Sequence, residues 1–397
     1  TGAHNIASII QDFSEHLQDA DRCYIHDGEL LFPFVYEHVP TVVSLRDNVY
    51  PETIQGAFIH QPHSMILISE YSRKFVLATA GRFFPELANR IQLIPNGIDW
   101  HHFKPSPTKN IQQLIPIDPS QHPIILHPHR PEETKGMQQT IGIVDRLVHQ
   151  YKHHNLRVLV PKWLGTETDT GVTEFYKQMS TDIQERGLSE HFIFHDWIPY
   201  SLLNEYYSLG TLTLSQGSFV ESFGNAVYES LGCGTPSVVA RVATHRELLP
   251  ESLIDKNDYN DLDTAAAICD EIIRSKRRTS AETIHYLHEH YSQQQQLLRY
   301  REVIEQATLT PKMKYTPKPI TKDTFFALAP WCYRSASNGY YHDFKAAYRD
   351  LPELDELLTE TPAGFVYKQA LNNGLSANVV EEWYREGYIV PVPHFRG

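Results

Sequence analysis

The sequence predicts an α/β protein with two Rossmann-like, doubly wound parallel-sheet domains, the first one short, followed by a small, mainly helical extension. Three observations carry this. Short apolar runs of β character alternate with helix-length stretches over residues 23–95 and again over 124–240, the pattern of βαβ units. Between the two series lies HHFKPSPTKNIQQLIPIDPSQHP (101–123), with five prolines and little periodicity, which reads as a linker. The 397 residues, 41% hydrophobic and 21% charged, suit two or three soluble domains with their own cores. The expected boundaries are 1–105, a linker at 106–123, a second domain at 124–310 and the extension at 311–397.

The first series opens with Ile6–Leu17 (IASIIQDFSEHL), whose apolar residues recur at helical spacing. Cys23–His26, Thr41–Leu45, Met65–Ser69 and Ile91–Pro95 are its β-like runs. Pro51–Phe58 and Ser72–Ala80 read as helices or loops between them. The second series places strands at Ile124–His127, Leu156–Pro161, His191–His195, Thr211–Ser215 and Ser237–Ala240. Its helices are expected at Met137–Tyr151, Gly171–Arg186, Leu202–Ser208 and Gly224–Leu231, with helix-like stretches from about Asp263 to Gln306 closing the domain. Beyond a Pro/Lys-rich joint at Pro311–Lys322, LPELDELLTE, GFVYKQALNNGLS and NVVEEWYREGYIVPV read as three short amphipathic helices and a final Ile-Val-Pro-Val strand. They suit either a helical extension packed on an α/β domain or a small winged-helix-like module.

A net charge of −13, from 35 basic and 48 acidic residues, argues against a general nucleic-acid or anionic-membrane binder. The apolar runs are far shorter than the ~18 residues of a membrane span. Cys23, Cys233, Cys269 and Cys332 show neither metal spacing nor a disulfide framework, so a cytoplasmic protein is expected. The 22 histidines include no H-x-x-x-H pattern on a helix, and no metal is predicted. The chain opens at Thr1 without a methionine or signal segment, which reads as a processed end or a fragment.

Open α/β sheets bind ligands at the carboxyl ends of their strands, beside helix N-termini, so the residues that follow strands are the informative ones. VESFGNAVYESLGCGTP (220–236) follows TLTLS and opens a helix near Phe223-Gly224. The amides of Phe223, Gly224 and Asn225 are the unpaired donors of that helix start, an anion site. Glu221 precedes the helix and Glu229 lies eight residues on, so the two can bracket a long, hydroxyl-rich ligand. On spacing alone, Glu221 is equally an acid favoured by the helix dipole and Glu229 a solvated helix residue. HPHRPEETKGM (127–137) also follows a strand. Arg130 and Lys135 offer bidentate and point-charge contacts to a diphosphate, or are simply solvated. LIPNGIDWHHFKP (93–105) makes a tight turn at Asn96-Gly97 and marks the hinge between the halves.

Taken in their order, these motifs resemble the GT-B glycosyltransferases, specifically the large retaining family four, over roughly residues 20–307. The family reads I-P-N-G-[IV]-D at the hinge, R-x4-K-G at the phosphate loop and E-x-F-G-x-x-x-x-E at the donor motif. Ile94–Asp99, Arg130/Lys135/Gly136 and Glu221/Phe223/Gly224/Glu229 match them. The following LGCGTPSVVA is similar to the family's A-x-G-x-P-V-V-A segment. Two departures stand out: only 25 residues precede His26, and RVATHRE replaces the glycines common after SVVA, with Glu247 retained.

The resemblance implies two domains facing across a cleft. It implies Arg130 and Lys135 on the donor diphosphate, Glu221 on sugar hydroxyls, the Phe223–Asn225 amides on sugar and phosphate, and Glu229 on the ribose. Trp197 and Ile198 fall where such enzymes place the nucleobase. On the acceptor side it implies His26 with Asp27, and Arg46 with Asp47; His26 is equally a strand-end histidine bonded to backbone. The implied activity is retaining transfer of a hexose from a nucleoside-diphosphate sugar to the hydroxyl of a glycan, lipid, small molecule or protein, with no cofactor beyond the donor. The alternatives are a non-catalytic nucleotide-sugar or glycan-binding scaffold of the same fold, or an epimerase or phosphorylase. For a phosphorylase, no cofactor lysine can be placed.

Overall fold

The computed structural model describes residues 2–26, 33–48, 50, 63–130, 132–162 and 170–392. Asp27 and the stretch Pro51–Phe58 lie outside the described residues. The chain forms two compact units, Thr1–Ile94 with Leu298–Gly397, and Pro95–Leu297.

The first unit holds a parallel sheet of β1 (Cys23–His26), β2 (Thr41–Leu45), β3 (Ser64–Leu67) and β4 (Ile91–Leu93) in the order β1-β2-β3-β4. β2 is buried at all five positions, as a parallel strand covered on both faces requires. The segment expected at Ser72–Ala80 is a helix that begins earlier, at Glu70–Ala78, because the Ser69 hydroxyl caps it by accepting the Ser72 amide at 3.1 Å. Among the described residues this sheet winds in one direction only, with no reversal of strand order.

The second unit is a six-stranded parallel sheet. Its strands are β5 (Ile124–Leu126), β6 (Arg157–Pro161), β7 (Phe192–His195), β8 (Leu212–Ser215), β9 (Ser237–Ala240) and β10 (Asp255–Asn257), ordered β10-β9-β8-β5-β6-β7. The order reverses between β5 and β8, a topological switch point. β10 reads as polar (DKN), yet it is held by buried amides: Asn257 and Gln216 exchange two hydrogen bonds, each of 2.9 Å. Helices Met137–His149 and Leu262–Ser275 cover the core with Ile141, Val144, Leu147, Ala266 and Ile272.

The proline-rich segment 106–123, expected as a linker, is docked on this unit. Ile111 and Ile115 are buried, and the buried Glu205 carboxylate accepts the Asn110 amide (2.9 Å), the Asn110 Nδ2 (2.6 Å) and the Ile111 amide (3.1 Å). Alternation is lost because side-chain capping, not sheet pairing, fixes the backbone.

Residues 311–397 contain the three expected helices, Pro352–Glu360, Tyr367–Asn372 and Ala377–Arg385. They also contain two antiparallel sheets, so the extension is mixed α+β rather than mainly helical. β11 (Phe325–Leu328) pairs with β15 (Phe365–Val366) and β16 (Ile389–Pro391), while β12 (Cys332–Arg334), β13 (Tyr340–His342) and β14 (Ala347–Arg349) form the other sheet. These strands are too short for alternation to show. The extension docks within the first unit on the Glu70–Ala78 helix, where the Tyr71 hydroxyl donates to Asp343 at 2.9 Å and Phe75 meets Trp331 edge-on.

Glu205→Ala leaves two backbone amides without their acceptor, and charge-assisted bonds of this kind contribute about 1.5–3 kcal/mol. Urea unfolding is expected to show a loss of roughly 2–4 kcal/mol, and Glu205→Gln a smaller one.

Candidate functional site

At the switch point the loops leaving β5 and β8 meet backbone to backbone. A Cβ on Gly217 would lie 2.2 Å from the Thr134 carbonyl oxygen, and one on Gly136 would lie 2.5 Å from the Gly217 nitrogen. Gly136 also takes φ +83°, a conformation costly for other residues. The Phe219 amide donates to the Thr134 carbonyl at 3.0 Å, and His129 Nε2 bonds the Leu214 carbonyl at 2.9 Å. Burial pushes the His129 pKa down, partly offset by that bond, so its ring is neutral at neutral pH.

This pairing brings two predicted residues together. Lys135 Nζ donates to Glu221 Oε1 at 2.7 Å and sits 3.3 Å from the Phe219 ring centroid. Both are largely shielded, the lysine side chain at 12% exposure and the glutamate at 25%. The pair is therefore less screened than a surface salt bridge. Arg130 is instead solvent-facing and lies 3.7 Å from Glu132.

The helix Asn225–Gly232 starts after Gly224, which caps it at φ +83° with no side-chain cap bond. Its first amides are thus available to an anion. Phe223 is buried against Tyr228 and Tyr291; it anchors the helix start and offers a ligand only its backbone. Asn225 Oδ1 accepts the Asn96 side chain at 3.1 Å, tying the helix to the Pro-Asn-Gly turn. One and a half turns on, the Tyr207 hydroxyl donates to Glu229 at 3.1 Å. Burial pushes the Glu229 carboxyl up to about 7, against the downward pull of that hydroxyl. On the β7 side Trp197 is exposed and Ile198 buried.

In the first unit His26 ends β1, in register with Ser44 on β2. Its Nδ1 lies 2.7 Å from the Tyr24 hydroxyl, so its bond is to a side chain rather than to backbone. Arg46 follows β2 and donates to the Tyr300 hydroxyl at 3.2 Å, which also meets Ser44 Oγ at 3.0 Å. Asp47 stands beside it in sequence, and Asp27 lies outside the described residues. Sequence reasoning missed Phe219, His129 and Tyr300, and it noted Tyr207 only as preceding the TLTLS strand, with no role at the site. Only His129, two residues past a strand, carried a positional signal.

Residues 110–265 match the family model described as glycosyl transferases group 1. That match lies within the second unit. A D-inositol 3-phosphate glycosyltransferase of Acidothermus cellulolyticus is 27% identical over 158 residues, 39% of this chain and 34% of that protein. The match thus spans about a third of that relative's length. Among solved structures, Anabaena HepE in complex with UDP and glucose superposes with a TM-score of 0.64 at 17% identity, covering 77% of this chain and 83% of HepE. Sucrose-phosphate synthase from Thermosynechococcus elongatus gives 0.62 at 14% identity, covering 76% and 78%. At such identities these likenesses show the fold alone, that of the GT-B glycosyltransferases. Among the described residues, no helix is long and apolar enough to cross a membrane.

The raised Glu229 pKa makes stability pH-dependent. The native state holds a proton that the unfolded chain has lost, so stability falls as pH rises from about 4.5 through about 7. Glu229→Gln removes this slope. Against wild type it should gain up to about 3 kcal/mol on going from pH 5 to pH 8, read from urea midpoints.

Proposed function

We propose that this chain is a retaining glycosyltransferase that moves a hexose from a nucleoside-diphosphate sugar to an acceptor hydroxyl. The observation that carries this is the joining of Lys135, Glu221 and the Gly224 helix start at the switch point of a group 1 domain. Arg130, Lys135 and the Phe223–Asn225 amides would neutralise the departing diphosphate. Glu221 would hold the sugar hydroxyls, Glu229 the ribose, and the Trp197-Ile198 segment the base. The acceptor, held by His26, Asp27, Arg46 and Asp47, attacks on the face from which the diphosphate leaves, which keeps the anomeric configuration. We assign leaving-group charge to these side chains rather than to a metal, and no cofactor beyond the donor. Four free cysteines suit a reducing, cytoplasmic compartment.

UDP-glucose is the first donor to try, since HepE was solved with UDP and with UDP-glucose. UDP-, GDP-, ADP- and TDP-hexoses should be compared by melting temperature. A ligand at 100 times its Kd adds about 2.7 kcal/mol, a shift of about 5–10 °C for a unit of this size. Lys135→Ala is expected to cut sugar release from that donor by roughly 10²–10³-fold. No shift with any donor, or full turnover by the lysine variant, would refute the assignment. A second reading, donor binding without transfer, draws on the four-stranded sheet of the first unit, which has no switch point among its described residues. Binding without hydrolysis or transfer across an acceptor panel would favour it.

A further inference from the structure

The loop after β9 contains three anomalies within three residues. Ala243 takes φ +47°, a region glycine enters freely and alanine at a cost. The next two side chains are buried, and among the described residues neither Thr244 Oγ1 nor His245 Nε2 has a hydrogen-bond partner. This is the segment where RVATHRE stands in place of glycines. The loop is not slack: buried Lys256 donates to the Arg246 and Leu249 carbonyls at 2.9 and 2.7 Å. A strained alanine and two unmet polar groups persist only where the surroundings over-determine them.

His245 is the informative member. Its ring lies against Gly224: a Cβ there would come 2.6 Å from Cε1 and 3.1 Å from Nε2. Its Nδ1 lies 3.1 Å from the Tyr228 hydroxyl. Burial holds that phenol well above its ordinary pKa, so the phenol keeps the proton with which it can donate to Nδ1. With the phenol as donor, the imidazole proton sits on Nε2, the ring nitrogen that has no partner among the described residues. Burial pulls the imidazole down to about 4, and the Glu221 carboxylate is the largest charge opposing that fall. Glu221, meanwhile, is occupied by Lys135.

We propose that His245 is a positioning residue for the donor sugar, acting through Glu221. When a donor diphosphate engages Lys135, Glu221 loses its ammonium partner, and the Nε2–H of His245 takes one oxygen of the freed carboxylate. The other oxygen is then fixed for a sugar hydroxyl. The unmet N–H of the ligand-free state finds its acceptor only in the complex, so the bond adds to sugar binding. This rests on the donor-site reading above.

The test compares UDP, GDP, ADP and TDP, each with and without its hexose, by titration calorimetry. His245→Phe keeps a planar aromatic ring, somewhat larger, and removes the N–H; His245→Gln returns an N–H near the Nε2 position. With the nucleotide that wild type binds, the phenylalanine variant should bind the bare diphosphate within about twofold of wild type. It should lose about tenfold toward the nucleotide sugar, the worth of one charge-assisted bond, and the glutamine variant should recover most of it. In ¹⁵N-histidine spectra, one Nε2–H signal missing from His245→Gln should move with the nucleotide sugar. Equal binding by all three proteins, or an equal loss toward diphosphate and sugar, would overturn the role of His245 alone. No binding of any nucleotide by wild type would overturn the donor-site reading and this inference together. If His245→Phe does not fold, the glutamine variant and the spectra decide: a stationary signal overturns the proposal.

Discussion

The close approach of Gly136 and Gly217 is the constraint on which the site depends. Each glycine occupies space that a Cβ would take from the other loop's backbone, so the loops leaving β5 and β8 can be this near only with both side chains absent. That proximity lets the Phe219 amide reach Thr134 and sets Lys135 against Glu221. Neither loop could place its charged residue alone. The switch point supplies the divergence of the two crossovers, and the glycines draw the loops back together above it.

Around this junction the unit buries groups that would rather be solvated. Burial pushes the Glu229 carboxyl up and the His129 and His245 imidazoles down. Each shift is a cost to the empty fold. Core packing does not require these residue types, and an apolar residue would serve it better. The cost becomes intelligible if a bound ligand supplies the missing partners, which is the general reason perturbed groups collect at functional sites.

Much of this was legible in the sequence because the relevant signals are local. Strands such as Thr41–Leu45 and Ser237–Ala240 are short valine-centred runs with only small hydroxyl residues among the apolar ones, and both appear at the expected residues. The helix start at Gly224 and the order of the three motifs could likewise be read directly. What escaped reading is non-local. β10 is a strand because Asn257 finds Gln216 some forty residues away, and nothing in DKN announces that. The extension's six short strands gain their identity from pairing, as when Phe326 meets Phe365 and Pro391. The Pro-rich 106–123 segment is ordered by one distant carboxylate, Glu205. Spacing can place Lys135 on a loop, but it cannot show that Glu221 is its partner.

That partnership bears on how a ligand-free site stays ready. An isolated ammonium in a shielded loop would pay desolvation or drift to solvent. Here Lys135 is held twice, by Glu221 and by the face of Phe219, and the two holds differ in kind. The carboxylate competes with a phosphate for the same protons, so it must give way when an anion arrives. The aromatic face attracts the ammonium through its quadrupole and leaves the outward N–H groups free. Exchange of Glu221 for a phosphate oxygen therefore need not move the lysine. In the proposed donor site, the same exchange would release a carboxylate beside the helix start at the moment when sugar hydroxyls need an acceptor. Charge recognition of a diphosphate and hydroxyl recognition of a sugar would then be consecutive uses of one ion pair, which neither residue could achieve without the other.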